Sequence, residues 1–100
     1  MNQKEVIDYI DSNIDFITLD TIIDVTIIRT HFFELQVHND KVVILDRYIL
    51  PNYEMLNFID NNLPVVLKFD SENFIDNFNA TYNYLQSAMS YFEYKENFPE

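Results

Sequence analysis

Carboxylates are the residues of this sequence with the most evident chemistry, because seventeen of its hundred residues are Asp or Glu. Two carboxylates held close together can divide acid and base roles between them. Asp20 with Asp24, and Glu72 with Asp76, have the four-residue spacing that brings side chains together on a helix. Seventeen acids produce such pairs by chance, so the spacing predicts no catalytic pair.

Histidine, serine and cysteine offer little further chemistry. The two histidines, His31 and His38, are seven residues apart, and an odd separation places them on opposite faces of a regular strand. This arrangement disfavours a metal pair. None of the four serines has a histidine near it in sequence, and Ser71 suits a helix cap. Cysteine is absent, which excludes disulfides and thiolate metal sites.

Glycine is also absent from the whole sequence. Phosphate-binding loops, dinucleotide-binding turns and nucleophile elbows need glycine where the backbone approaches a ligand or takes a positive φ. Most classes of nucleotide-dependent enzyme are therefore excluded. We predict no enzyme activity, no catalytic residue, no metal and no cofactor.

The acids are better suited to binding. Asp8, Asp11 and Asp15 recur at i, i+3 and i+7, so a helix from residue 3 to about 15 carries them along one edge. Carboxylates then follow one another every ~5 Å along the axis, the same order as the ~3.4 Å between phosphates of one DNA strand. An ordinary solvated helix face is the alternative. The predicted partner-binding ridge comprises Glu5, Asp8, Asp11, Asp15, Asp20 and Asp24.

A second candidate surface lies on the last helix, where residues 77–92 carry no charge in a chain of net charge −11. Helical periodicity separates two stripes. The predicted core stripe consists of Ile75, Phe78, Tyr82, Leu85, Met89 and Phe92. The second stripe, predicted to mediate self-association or partner binding, consists of Ala80, Tyr84, Ala88 and Tyr91, because alanines admit close approach and tyrosines supply contact area. Cover by the first helix is the alternative.

The elements that position these surfaces begin with the helix from residue 3 to about 15. From Thr21 to Leu50 the chain is rich in β-branched and aromatic residues, as strands are. Asn39-Asp40 is a two-residue hairpin loop that sets Val37 opposite Val42 and Leu35 opposite Ile44. Upstream, residues 21–30 form a third strand with Ile23, Val25 and Ile27 on one face.

After Pro51 ends the sheet, Asn52 caps a short helix that ends at Asn61-Asn62. Residues 65–69 form a strand or an extended crossing. Asp70 or Ser71 then caps a last helix that runs to about Lys95.

Residues 1–100 are thus predicted to form a single acidic globular domain of the α+β class. Three or four antiparallel strands pack against an N-terminal helix and a long C-terminal helix, in the order α-β-β-β-α-(β)-α. The N-terminus lacks the apolar run of a secretory signal, and no stretch reaches the ~18 apolar residues of a membrane span. A cytoplasmic location is expected, in the host cell if a phage encodes the protein.

The excess of acids predicts a basic protein partner and disfavours direct contact with nucleic acid or a membrane. In small size, acidity and scarcity of glycine the chain resembles phage-borne inhibitors, antitoxins and immunity proteins. Its element order resembles that of some anti-CRISPR inhibitors of Cas nucleases, although no motif aligns and no functional residue is transferred. The resemblance implies a non-catalytic DNA mimic from a phage or mobile element that occludes a host nuclease or nucleic-acid-binding machine. The alternative is a homodimeric structural, assembly, immunity or antitoxin-type protein whose acidity serves only solubility.

Overall fold

A computed structural model describes residues 1–47 and 52–98 of the chain. The α+β class is confirmed, and this part of the chain contains three helices and five strands, one strand more than the predicted maximum. In chain order the elements are α1 (Gln3–Asn13), β1 (Thr18–Ile22), β2 (Val25–Arg29), β3 (Phe33–Val37), β4 (Lys41–Asp46), α2 (Tyr53–Asn62), β5 (Val65–Lys68) and α3 (Phe74–Asn97).

The five strands form one antiparallel sheet in which each strand pairs with its neighbour in sequence, in the order β1-β2-β3-β4-β5. The predicted hairpin register is confirmed, because Val37 pairs with Val42 and Leu35 pairs with Ile44. The backbone N–H of His38 donates to the carbonyl of Lys41 at 2.9 Å and closes the predicted two-residue loop. Residues 65–68 form a true strand of the sheet, paired with β4.

The additional strand arises because residues 18–29 form a hairpin, so that residues 21–30 are not the single strand that the sequence predicts. The chain reverses at Ile23-Asp24, and Ile22 pairs with Val25. Ile23 takes a left-handed φ of 55° there. β-Branched residues rarely adopt this conformation, so a turn centred on isoleucine carries no recognisable sequence signal.

Val25 and Ile27 share one face of β2, as the sequence predicts, and the structure places that face away from the helices. Thr26 and Ile28 are buried, whereas Val25 and Ile27 lie half-buried on the opposite, open face of the sheet. Alternation along a strand separates two faces but does not say which one packs against the helices. Here the apolar residues of one face are covered and those of the other remain accessible.

The core lies between the sheet and the helices. Val6 and Ile10 of α1, Met55 of α2 and the inner side chains of α3 join the buried face of the sheet in one cluster. The predicted core stripe of α3 is confirmed, with four residues buried and Ile75 and Phe92 packed against them. The four buried members are Phe78, Tyr82, Leu85 and Met89.

Helix ends differ from the predictions in two places. α1 ends at Asn13, so Asp15 lies beyond the helix. α3 begins at Phe74 after Asn73, whose φ is 59° and whose side chain makes no cap bond, so the predicted cap at Asp70 or Ser71 is wrong. The predicted cap of α2 is confirmed, since the Asn52 side chain accepts from the Met55 N–H at 3.1 Å. The predicted stop at Pro51 lies outside the described residues.

Candidate functional site

Three acids of the predicted ridge lie on α1 and are exposed. Glu5 is engaged in a capping box, in which its carboxylate accepts from the Asn2 N–H at 3.1 Å. Asp8 forms an ion pair with Lys4 at 3.1 Å. Asp11 has no ion-pair partner within the described residues. The row on α1 therefore carries more negative charge than its single lysine balances.

The other three ridge residues lie on separate parts of the molecule. Asp15 follows α1 and borders a groove described below. Asp20 lies on β1 and accepts from Arg29 at 3.3 Å on the open face of the sheet, which is opposite to the face that α1 covers. Asp24 lies in the β1–β2 turn, where its carbonyl accepts from the Gln3 side chain at 2.7 Å. Asp20, on the opposite face of the sheet, does not join the α1 row.

Additional acids gather at the end of the molecule where α1 and α3 begin. The carbonyl of Asp40, in the β3–β4 turn, accepts from the Phe69 N–H at 2.9 Å, and the Gln3 bond brings the β1–β2 turn to the same end. The four exposed acids of these connections, which we call the acidic end, are Asp24, Asp40, Asp70 and Glu72. Sequence reasoning selected only Asp24, because the others are separated in sequence and meet through folding.

The second stripe of α3 is largely accessible. Tyr84 and Tyr91 are 59% and 57% exposed, Ala80 is exposed, and Ala88 is half-buried. Phe58 of α2 lies against Tyr84 with ring centroids 5.8 Å apart. In the described part of the chain α1 does not cover this stripe, because α1 meets the other edge of α3. More than half of each tyrosine therefore remains available for contact.

A polar groove of about 560 Å³ lies between the end of α1 and the middle of α3. Its volume falls within the range of small-ligand and side-chain pockets, ~300–1,000 Å³. The α3 wall is the uncharged polar edge of that helix, formed by Asn79, Asn83 and Gln86. Tyr9 and Asn13 form the α1 wall. Sequence periodicity identifies the α3 edge as polar, but it does not predict that a second helix faces it.

Tyr82 forms the floor of the groove and is 8% exposed. Burial raises the pKa of its hydroxyl above the ordinary value, the charge of Asp15 adds to the increase, and a hydrogen bond with Thr30 lowers it in part. At the rim, His31 Nε2 lies 2.8 Å from the Glu93 carboxylate. The floor thus presents a phenol that stays protonated well into the alkaline range.

The open face of the sheet carries a chain of polar contacts along β3. His38 contacts Gln36 at 3.2 Å, Gln36 donates to Glu34 at 2.8 Å, and Arg29 Nε contacts Glu34 at 3.3 Å. Half-buried apolar side chains, including Ile27 and Val43, flank these polar contacts. The face is mixed in character, and its charged groups are largely paired with one another.

Other kinds of site find no support among residues 1–47 and 52–98. There, no three His, Asp or Glu side chains group as metal ligands do. The helices of the same residues lack the combination of length and apolar character that a bilayer crossing requires. Comparison with protein-family models, with curated proteins and with solved structures gives no match for this chain.

Proposed function

We propose that this protein is a non-catalytic binding protein whose acidic surface covers a basic surface of a partner protein. The observation that carries the proposal is the set of exposed acids that make no ion pair within the described residues. These acids are Glu5, Asp11, Asp15, Asp24, Asp40, Asp46, Asp60, Asp70, Glu72, Asp76 and Glu96.

The surplus of acids over cations affects how the protein associates with other molecules. The sequence holds six cations against seventeen acids, and Lys4, Arg29 and Lys95 are engaged by acids of the same chain. The remaining carboxylates create a negative field that speeds association with a basic surface and opposes association with nucleic acid. Ion pairs formed with a partner would replace interactions with counterions and water, so the affinity is expected to depend on salt.

In its sharpest form the proposal makes the partner a host nuclease or another nucleic-acid-binding protein. Asp8 and Asp11 are separated by about one helical turn on α1, and Asp15 follows two residues after the end of the helix. This spacing is of the same order as that of phosphates along a DNA strand. The row can therefore occupy a groove that normally contacts a phosphate backbone.

The test is capture of the partner by the tagged full chain, followed by measurement of affinity with the purified pair. Asp11→Lys with Asp15→Lys is expected to weaken binding at least tenfold. The control, Asp46→Lys with Asp60→Lys, changes the net charge equally at exposed, unpaired acids outside the row. Equal losses for both pairs would contradict a role for the row. Binding that is unchanged between low and high salt would contradict electrostatic occlusion altogether.

A second candidate function, homodimeric assembly through the stripe of α3, is favoured by the exposure of Tyr84 and Tyr91. Buried aromatic side chains contribute strongly to stable interfaces. Sedimentation equilibrium would measure the mass in solution, and Tyr84→Glu with Tyr91→Glu is expected to give a monomer. Tyr53→Glu is the control, since Tyr53 is 88% exposed on α2. A monomer in the unmodified protein at high concentration would rule out this candidate.

A further inference from the structure

Two side-chain amides of the groove between α1 and α3 each use one of their two N–H groups within the protein. Asn13 Nδ2 donates to the backbone carbonyl of Tyr9 at 2.8 Å, and Asn79 Nδ2 donates to the hydroxyl of Tyr9 at 2.6 Å. The first bond fixes the orientation of the Asn13 amide, because a carbonyl can only accept. In the described residues, neither amide oxygen accepts a hydrogen bond from the protein. The Asn13 oxygen is therefore available to a ligand that donates, and the Asn79 oxygen is available while its NH₂ group bonds the Tyr9 hydroxyl.

The charge around the groove also favours a ligand that donates hydrogen bonds. Asp15 borders the groove and makes no ion pair within the described residues. His31, at the rim, is occupied by the carboxylate of Glu93. Neither Lys nor Arg of the described residues lines the groove. The net charge at the groove is therefore negative, and amide oxygens lie beside it, which favours a ligand that brings both donors and positive charge.

The distribution of the acceptors distinguishes between cationic groups. The amides of Asn13 and Asn79 stand on different helices, and Asp15 adds a carboxylate beyond the end of α1. A guanidinium group carries five N–H donors in a planar fork and can also stack on an aromatic ring, whereas an ammonium group is a compact point charge. Tyr9 supplies a half-buried ring at the wall, whereas the ring of Tyr82 is buried and stacks on Phe78. A planar, multidentate donor matches this arrangement best.

We infer that the groove binds the guanidinium group of an arginine side chain on the basic partner. The inference rests on the proposed function and adds a specific contact to it. Asp15 belongs both to the predicted ridge and to the border of the groove, so an arginine that enters there would pair with one acid of the ridge.

The test uses the isolated full chain labelled with ¹⁵N and three small probes: N-acetyl-arginine amide, its neutral isostere N-acetyl-citrulline amide, and N-acetyl-lysine amide. The side-chain NH₂ signals of Asn13, Asn79 and Asn83 report directly on the groove. The arginine probe is expected to shift these signals and to bind roughly threefold or more tightly than citrulline, because only arginine adds a charge opposite Asp15.

Two variants separate a specific site from surface charge. Asp15→Asn is expected to weaken binding of the arginine probe roughly threefold, whereas Asp11→Asn removes the same charge outside the groove and is expected to leave the affinity unchanged. Equal binding of arginine and citrulline, stronger binding of lysine, or equal effects of the two variants would overturn the inference. Absence of shifts at the side-chain amides of Asn13, Asn79 and Asn83 would also overturn the inference.

These probes need no partner protein, so the two proposals can fail separately. If the arginine probe binds in the groove but partner binding is unchanged between low and high salt, the proposed function fails and the guanidinium site remains. If the row governs partner binding while the probe leaves the groove signals unchanged, the arginine site is rejected and the proposed function remains.

Discussion

Replacement of Ile23 by glycine is expected to stabilise the protein, although Ile23 is a large apolar residue. Its φ of 55° lies in the left-handed region, where an L-residue costs about 1–2 kcal/mol relative to the right-handed region. A β-branched side chain is among the least tolerated there. Because Ile23 is 89% exposed, its removal sacrifices little buried surface.

The expected gain is the difference between two terms. Glycine removes the left-handed cost of about 1–2 kcal/mol but adds unfolded-state entropy worth about 0.5–1 kcal/mol. The free energy of unfolding should therefore rise by about 0.5–1 kcal/mol, which corresponds to a melting temperature about 4 °C higher for a domain of this size. Ile23→Asn is expected to give at least as large a gain, because Asn tolerates the left-handed conformation without the glycine penalty.

Urea unfolding followed by circular dichroism, together with calorimetry, would measure the change. Val25→Gly is the matched control, since Val25 flanks the same turn with a negative φ and should lose about 1 kcal/mol when replaced. A loss of stability for Ile23→Gly as large as that for Val25→Gly would refute the strain at this turn.

Three further changes test the packing that positions the candidate surfaces. Asn52→Ala should lower the free energy of unfolding by about 1–2 kcal/mol, because Asn52 caps α2 and donates to Glu96 at 3.1 Å; Asn61→Ala, at an exposed position, should have a smaller effect. Leu85→Ala should cost about 2–5 kcal/mol in urea unfolding, since Leu85 is fully buried. The pKa of Tyr82 is higher in the folded protein than the value of about 10 in the unfolded chain, so the free energy of unfolding should fall as pH rises from about 10 through the folded pKa. Tyr82→Phe should show a smaller fall over the same pH range.

Local features of the fold were predictable because neighbouring residues determine them. The Asn39-Asp40 loop sets the β3–β4 register, and Asn52 satisfies the N–H of Met55 three residues away. The start of α3 was not predictable in the same way. Asp70 and Ser71 are good caps by residue type, yet the chain there continues the turn that follows β5, and the helix begins three residues after Ser71.

The same distinction between local and long-range features applies to the candidate surfaces. Periodicity identified the acids of α1 and both stripes of α3, because these residues share one helix. The acidic end and the groove depend on residues that are distant in sequence. Asn79 meets Tyr9 across seventy residues, and Asp40 meets the β5–α3 connection. No pattern within a single element contains that information.

The amino-acid sequence alone determined the excess of acids, the absence of glycine and cysteine, the two-faced last helix and the hairpin register. These properties depend on composition or on interactions that span a few residues. Tertiary structure decided which face of β2 is buried, where the chain turns at Ile23, and which amides and acids converge beside Tyr82. Those outcomes depend on the free energy of burying surfaces contributed by several elements at once, and only the folded chain brings these surfaces together.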